Sequence, residues 1–444
     1  MNGIACGSGF EFPKALTPSQ ATAEAERCLL CLDAPCSKAC PAGTDPGTFI
    51  RKLRLRNLKG AVRTIKENNV LGGVCGVTCP TERLCEKECS ATGIDRAIRI
   101  GALQRFLVEY GWRVGFKPLS AKPANHVRVA VVGSGPAGLS CAATLAREGF
   151  GVTVFEARGQ AGGILRHGVP PFRLGEDLLG REVADVAALG VKFACGAPVG
   201  GAIDGLLRQG FRAVFLAAGL ASPYRVAVPG ADLRHVFASA DFLREARSPG
   251  GGGAAVVKRV NVAIVGGGSV AMDVATTCKA LGAARVYCIA LEAMDELPAA
   301  RADLHDAVDR HVIVKPQARI LEILGTDGAV SGVRGCETEW VVPGLLAPSN
   351  ARAVEGTEFA LRVGAVVFAI GSGPDPRLRE ALPGAEFTAG GLVKVDPETM
   401  ATAVAGVFAG GDVVRGPGLV VEAVADGKKA ALGIAAFCSR EVTR

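Results

Sequence analysis

Nine cysteines fall within the first 89 residues, and eight of them form two tight groups. The first reads Cys28-x2-Cys31-x4-Cys36-x3-Cys40-Pro41, and the second Cys75-x3-Cys79-Pro80-x4-Cys85-x3-Cys89. Thiolates at such short spacings, followed by proline, are how a chain wraps an iron–sulfur cluster. Each four-iron cubane needs four ligands, and neighbouring clusters often exchange the fourth. Zinc is the competing reading. Structural zinc sites pair two C-x2-C knuckles or add histidines; only Cys28 and Cys31 have that spacing here, and all five histidines lie outside this region. The pattern therefore predicts an electron carrier. Spacing alone does not say how the eight thiols divide.

The other six cysteines (Cys141, Cys195, Cys278, Cys288, Cys336 and Cys438) are scattered among small and apolar residues and are expected in cores. A length of 444 residues allows three domains at roughly 150 residues each. With 59 glycines and 5% aromatics, the composition suits α/β domains with many tight turns. No apolar run approaches the ~18 residues that a membrane helix needs, and residues 1–9 lack signal-peptide features. A cytoplasmic chain with no membrane partner is expected. The net charge is +7, much of it in Arg51, Lys52, Arg54, Arg56, Lys59, Arg63 and Lys66. This segment reads as a solvated helix face or, more sharply, a docking surface for an acidic partner. No aromatic interleaving or recognition motif points to nucleic acid.

The elements that must position these groups follow from texture. Residues 1–122 read as short helices between cysteine loops, with helical character over 16–32 and 48–66, and a linker over 116–125. A strand at 127–132, the turn Gly133-Ser-Gly-Pro-Ala-Gly138, a helix to about 147 and a strand at 152–155 ending on Glu156 make a βαβ unit. The unit recurs as a strand at 262–265, the turn Gly266-Gly-Gly-Ser-Val-Ala271, a helix to about 281 and a strand at 285–290. Late strands are expected at 365–370 and 407–409, with a glycine-rich stretch at 248–253 between the two units. The expected domains are 1–122, 123–245, 246–367 and 368–444, the third inserted into a domain formed by the second and fourth.

A lone GxGxxG is weak. The first one here follows a strand, opens a helix, and is answered by Glu156, 21 residues after Gly135. Glycines let a pyrophosphate approach the helix N-terminus, and the acid accepts from ribose hydroxyls. Two such units imply two dinucleotides. The pair Gly411-Asp412 closes a late strand, as in flavoproteins whose aspartate holds a ribityl hydroxyl. The first unit is therefore expected to bind FAD and the second a nicotinamide dinucleotide.

These residues resemble a known family. Cys28-Leu-Leu-Cys31, Asp33-Ala-Pro-Cys36, Cys79-Pro-Thr, Gly101-Ala-Leu-Gln-Arg-Phe106, Val395-Asp-Pro-Glu-Thr-Met400 and Phe408-Ala-Gly-Gly-Asp-Val-Val414 are similar to the electron-input portion of dihydropyrimidine dehydrogenase and to the separate subunit of its bacterial versions. The glutamate synthase small subunit is similar to a lesser degree. The resemblance spans nearly the whole chain. It implies a helical iron–sulfur domain followed by a two-dinucleotide flavoprotein. It implies two [4Fe–4S] clusters, one on Cys28, Cys31, Cys36 and Cys89, the other on Cys40, Cys79, Cys85 and Gln104, with Cys75 a bystander. It implies an FAD site of Gly133, Gly135, Pro136, Ala137, Gly138, Leu139, Glu156, Gly163, Ile164, Arg173, Gly411, Asp412 and Val413. The nicotinamide site would use Gly266, Gly267, Gly268, Ser269, Val270, Ala369, Ile370 and Gly371.

The chain departs from the family where NADPH-using relatives place basic residues for the 2′-phosphate. It has Leu291 and Glu292 there, with no basic residue before Arg301, so NADH is expected. Ser269 replaces the usual Asp or Asn. The FMN-bearing, pyrimidine-reducing barrel has no counterpart after Asp412, so that catalytic half is expected on a partner polypeptide. The glutamate synthase small subunit is the nearest rival, and a non-catalytic cluster scaffold is the rival of another class.

Overall fold

Capping chemistry sets the first helix. Gln20 N donates to Thr17 Oγ1 (3.3 Å) and Thr17 N to Gln20 Oε1 (2.9 Å), a capping box ahead of Pro18–Glu26. The helix stops well short of residue 32 because the turn around Cys28–Cys31 begins, with Leu30 at φ +55°. The helix expected over 48–66 is two helices, Pro46–Arg54 and Leu58–Asn68. Arg56 at φ +59° breaks it, and Asn57 restarts it by accepting from Gly60 N at 2.9 Å. Helices Gly72–Thr78 and Ile100–Arg113 complete the cysteine-rich region around Phe49, Ile50, Ile65, Leu103 and Leu107.

The computed structural model describes residues 12–247 and 252–440. Residues 1–11, with Cys6, and most of the 248–253 stretch lie outside the described residues. Among the described residues one compact unit holds 12–166, 173–222 and 373–440. Besides the helices above it contains a parallel five-stranded sheet in the order Val407–Ala409, Ala213–Leu216, Arg128–Val132, Gly151–Glu156, Lys192–Cys195. Helices Pro136–Arg147 and Val420–Arg440 pack on one another.

The other unit spans 167–172 and 223–372. Its parallel sheet runs Val236–Ala238, Ala365–Phe368, Val262–Val265, Val286–Ile289, Val312–Lys315. The unit begins ahead of 246 because Val236–Ala238 pairs with Ala365–Phe368. Sequence reading missed its antiparallel hairpin, Ala318–Thr326 with Ala329–Trp340. The chain thus inserts one parallel α/β unit into another, the architecture expected. Among the described residues no helix is long and apolar enough to cross a membrane.

Within the first unit the helical region is pinned to the sheet region by a buried carboxylate. Glu182, on helix Glu176–Ala187, is wholly buried. Its Oε1 accepts from Gly73 N (2.7 Å) and Lys66 Nζ (3.2 Å), and its Oε2 from Val74 N (3.1 Å). The carboxylate therefore caps the first turn of Gly72–Thr78 from another part of the fold. Lys66 is buried, not on a solvated face, and also reaches Asp185 at 2.9 Å and Val70 O at 2.6 Å. Burial works against its charge, but Glu182 and Asp185 more than offset this and hold its pKa above the usual lysine range. Removing one partner from such a pair leaves the other charge buried, at a cost of about 3–5 kcal/mol, whereas replacing both by apolar groups costs far less. Glu182→Ala should lower the urea-unfolding midpoint of this unit markedly. Glu182→Met with Lys66→Met should lower it less than the single change; the two denaturation curves check this.

Candidate functional site

The eight thiols gather as two adjoining sets. Cys28, Cys31, Cys36 and Cys89 are half-buried and close enough to repel one another as thiolates. Burial, then the charges of Cys89, Cys28 and Cys31, push Cys36 up to about 11. Backbone N–H groups point at the sulfurs: Ile98 N donates to Cys89 Sγ and Thr44 N to Cys40 Sγ, both at 3.4 Å. Such N–H···S bonds stabilise anionic, metal-bound sulfur and tune cluster potentials.

Cys40, Cys79, Cys85 and Gln104 line one pocket together with Thr44, Thr81 and Val421. Cys75 lines it too, fully buried and hydrogen-bonded to Cys79. The wall therefore holds a fourth thiol as well as the glutamine. Gln104 is buried, and its Nε2 donates to Gly72 O at 2.6 Å. Only the NH2 end of an amide can donate to a carbonyl, so this bond fixes which end of the Gln104 amide is which and leaves Oε1 with its lone pairs to offer. Burial, with Glu86 and Cys40 adding, pushes Cys85 up to about 12, and the bond to Cys75 heads the causes that raise Cys79. Thiols this hard to ionise suit a metal that deprotonates its ligands outright. Cys36 also raises Cys85, which puts the two sets side by side. Among the described residues no three such groups close on a point as a single metal ion demands.

In the first Gly-rich loop the three glycines have three different reasons. A Cβ at Gly133 would meet Ala217 O at 2.3 Å, and one at Gly138 would meet Gly133 O at 2.0 Å. A Cβ at Gly135 would meet nothing within 4 Å. Packing therefore does not require the middle glycine; a closely approaching pyrophosphate would. Pro136, Ala137 and Leu139 open the helix behind it, as the resemblance implies. Glu156 sits at the loop: Ser134 N donates to its Oε2 at 3.2 Å, as does Ser134 Oγ, and Arg158 N donates to Oε1 at 2.9 Å. Gly163 closes over the loop, its absent Cβ 2.7 Å from Gly135 Cα. Ile164 beside it is exposed, and Arg173 lies half-buried ahead of helix Glu176–Ala187. Gly411 abuts Ala137, where an added Cβ would lie 3.0 Å from the alanine Cβ, and Val413 is buried. The structure thus brings 133–139, Glu156, Gly163 and 411–413 together. Sequence reading missed Ser134 and Asp426, whose Oδ2 accepts from Gly411 N and Arg415 Nε, both at 2.9 Å.

The other unit repeats the design. A Cβ at Gly266 would meet Ala369 O at 2.4 Å, which sets Ala369, Ile370 and Gly371 against the loop, and one at Gly268 would meet nothing within 4 Å. Glu292 Oε2 lies 3.2 Å from where a Cβ on Gly267 would sit, so its carboxylate faces the loop. Ser269 Oγ accepts from Ala300 N at 3.0 Å, and Val270 is exposed. Of the scattered cysteines, Cys141, Cys278, Cys288, Cys336 and Cys438 are buried as expected; Cys195 is exposed, because it ends the edge strand Lys192–Cys195.

Asp412 carries a pH signature. Burial pushes it up to about 6 although Arg415 opposes the rise. Between about pH 4 and 6 the folded chain keeps this proton and the unfolded chain has lost it, so stability falls as pH rises through that window and is flat above it. Asp412→Asn should therefore raise the unfolding midpoint of the flavin-free protein at pH 8, by the equivalent of roughly 2–3 kcal/mol. The gain should vanish near pH 4; thermal melts at the two pH values check it.

Comparison with known proteins agrees with this geometry. Residues 8–115 match the family described as dihydropyrimidine dehydrogenase domain II, 4Fe-4S cluster, and residues 127–427 match pyridine nucleotide-disulphide oxidoreductase. The chain is 38% identical over 431 residues to the NAD-dependent dihydropyrimidine dehydrogenase subunit PreT homolog of Salmonella typhi, with 96% of each chain covered. It is 31% identical over 439 residues to the glutamate synthase [NADPH] small chain of Escherichia coli (strain K12), covering 96% of this chain and 93% of that one. Mycobacterium tuberculosis FprA in complex with NADPH shares the two-dinucleotide fold, at a TM-score of 0.60 and 18% identity over 72% of this chain and 86% of that one. The protein is an oxidoreductase, and it belongs to the family of bacterial dihydropyrimidine dehydrogenase PreT-type subunits, flavoproteins of the pyridine nucleotide-disulphide oxidoreductase class with an N-terminal 4Fe-4S domain.

Proposed function

We propose that this chain is the NADH-oxidising electron-input subunit of a dihydropyrimidine dehydrogenase. It would pass electrons through two [4Fe–4S] clusters to an FMN-containing partner that interconverts uracil or thymine and their 5,6-dihydro forms. The observation that carries the reading is the second thiol pocket. Its wall includes Val421, on the helix that follows the Gly411-Asp412 loop of the flavin site, so flavin and cluster sites share one element. When bound, the flavin takes electrons in pairs and can release them singly, and each cluster carries one at a time.

The chain's own residues divide the work. The 133–138 loop and its helix would present N–H groups to the FAD pyrophosphate, while the carboxylates of Glu156 and Asp412 would accept from its ribose and ribityl hydroxyls. Gly266–Val270 do the same for the nicotinamide dinucleotide, and Ala369–Gly371 border it. Cys28, Cys31, Cys36 and Cys89 hold the outer cluster, and Cys40, Cys79, Cys85 and Gln104 the inner one. Val421 and the buried helices around the inner pocket exclude water from it. Identity to the PreT homolog exceeds that to the glutamate synthase small chain, 38% against 31%, which favours the pyrimidine partner.

Gln104 and Cys75 compete for the fourth position of the inner cluster, and substitution separates them. Anaerobically purified protein should hold about eight irons. Gln104→Ala should perturb or lose one cluster, leaving the electron paramagnetic resonance signal of the other, while Cys75→Ser should keep both. Loss of four irons in Cys75→Ser with full content in Gln104→Ala would reverse the assignment, and stoichiometric zinc without acid-labile sulfide would sink it.

Cofactor choice follows from Glu292. A carboxylate at the loop accepts from a free 2′-hydroxyl and repels a 2′-phosphate of nearly two negative charges. NADH should be preferred over NADPH by at least about tenfold in kcat/KM in dye reduction, only ~1.4 kcal/mol of discrimination. Glu292→Arg with Leu291→Arg should move the preference toward NADPH. The same assay tests the wider reading: the chain alone should reduce dyes but not uracil, and uracil reduction should appear when the FMN-containing subunit is added.

A further inference from the structure

The basic segment 51–66 does not act as one surface. Lys66 is buried against Glu182. Lys52 donates to Thr64 Oγ1 at 2.7 Å, and Lys59 and Arg63 stand over the Phe116 ring, each 5.7 Å from its centroid. Three exposed arginines remain, two of them at the first thiol set and the third against the helix before it. Arg54 Nη1 donates to Cys28 O at 2.7 Å, Arg51 Nη2 reaches Cys31 O at 3.4 Å, and Arg56 Nη1 donates to Thr22 Oγ1 at 2.8 Å. Arg51 and Arg54 therefore bracket the Cys28–Cys31 turn, and Arg56 lies against the helix Pro18–Glu26 that leads into it.

That turn presents apolar side chains outward. Leu32 is 98% exposed, and Leu55, next to Arg54, is 74% exposed. Leu29 and Leu30 are exposed as well. Leu30 adopts φ +55°, a left-handed conformation that is unfavourable for a bulky residue and is kept where the surrounding structure requires it. Isolated exposed leucines are ordinary, but a cluster of them rimmed by like charges marks an interaction face. Asp33 is paired with Lys38, so it does not cancel the arginines.

We propose that this face, with Leu32 and Leu55 at its centre and Arg51, Arg54 and Arg56 at its rim, is where the electron-accepting partner subunit docks, presenting an apolar patch inside an acidic rim. The inference rests on the function proposed above and deepens it. The first thiol set is the less deeply buried of the two, so electrons held there meet a partner on this face at the shorter separation. The positive rim selects an acidic partner surface and disfavours a second copy of this chain, whose arginines would face these. Leucines at the centre supply the desolvated contact that rim charges do not.

The test uses the full chain loaded with FAD and clusters, and the FMN-containing dihydropyrimidine dehydrogenase catalytic subunit from the same organism. Leu32→Glu with Leu55→Glu should weaken the Kd of the pair at least tenfold and lower NADH-driven uracil reduction in proportion. NADH–dye reduction, iron content and the resonance spectrum of the reduced clusters should not change. Leu345→Glu with Leu346→Glu, on an exposed apolar loop of the other unit, should leave the Kd at the wild-type value. A wild-type Kd in the Leu32/Leu55 variant, or loss only in the Leu345/Leu346 variant, overturns the proposal. If the Leu32/Leu55 variant loses iron, Arg56→Glu decides: it should slow association at low salt at least tenfold, and an unchanged association rate overturns the proposal. If the wild-type chain neither binds that subunit nor supports uracil reduction, the functional reading itself fails, and this inference with it.

Discussion

A carboxylate without solvent exposure organises the electron-carrying half of this protein. Glu182 comes from a helix of the flavin-type fold, yet its acceptor sites are filled by the first turn of Gly72–Thr78 and by Lys66. The same short helix carries Cys75 and leads into Cys79, and its first carbonyl, Gly72 O, holds the amide of Gln104. One buried interaction thus sets the position of two thiols and a glutamine at once. Its strength comes from the place that makes it expensive. In a low-dielectric interior each group would be costly alone, so the arrangement tolerates little displacement. Helix propensity could not supply such precision to a seven-residue helix, because short helices are marginal without tertiary support.

Other contacts reinforce the join. Trp112 Nε1 donates to Asp185 Oδ2 at 3.0 Å, and Lys66 lies 5.6 Å from the centre of the Trp112 ring. Arg147 Nη1 donates to Glu67 O at 2.9 Å. These tie the helical region to the sheet region at several points, which is why the two form one compact unit although their sequences read as separate domains. For an electron carrier this matters more than stability, because transfer between sites demands that their separation stay fixed.

What could be read from sequence was whatever chemistry is local. The two glycine loops, the acid that follows the first, and the thiol spacings are written in contiguous residues, whereas the division of the thiols, with Cys89 beside Cys36 and Cys40 beside Cys79, is set by the fold. Glu182 and Lys66 were invisible because 116 residues separate them; neither sits in a motif, and Lys66 looked like one more surface lysine in a basic run. Asp426 escaped for a similar reason, being an unremarkable acid on a long helix until the fold brings it to Gly411 N. The helix over 48–66 was misread because its amphipathic period continues across Arg56, and only the left-handed backbone there breaks it. The antiparallel hairpin of the inserted unit was missed because alternation in 318–340 is interrupted by glycines and by register shifts. Cys195 looked like a core residue by composition, yet an edge strand turned it outward.

The thiols close the argument. Burial raises Cys28, Cys36 and Cys85, and with its bond to Cys75 it raises Cys79. As free thiolates these groups would repel one another across a few ångströms. Two cations answer that charge from opposite sides. Arg54 lowers the cost at Cys28 from the surface. Lys428, on the last helix, donates to Ala42 O and Asn68 O, both at 2.7 Å, and the Cys40 thiolate supports its charge against the burial that lowers its pKa. Neither is enough to offset seven ligand thiolates, so a bound metal would add to the order that Glu182 supplies. The division of labour then follows. Glu182 orients the helix that feeds the inner site, the terminal helix carries both Val421 at its wall and Lys428 beside Cys40, and the outer site is left to the arginines and leucines that face solvent.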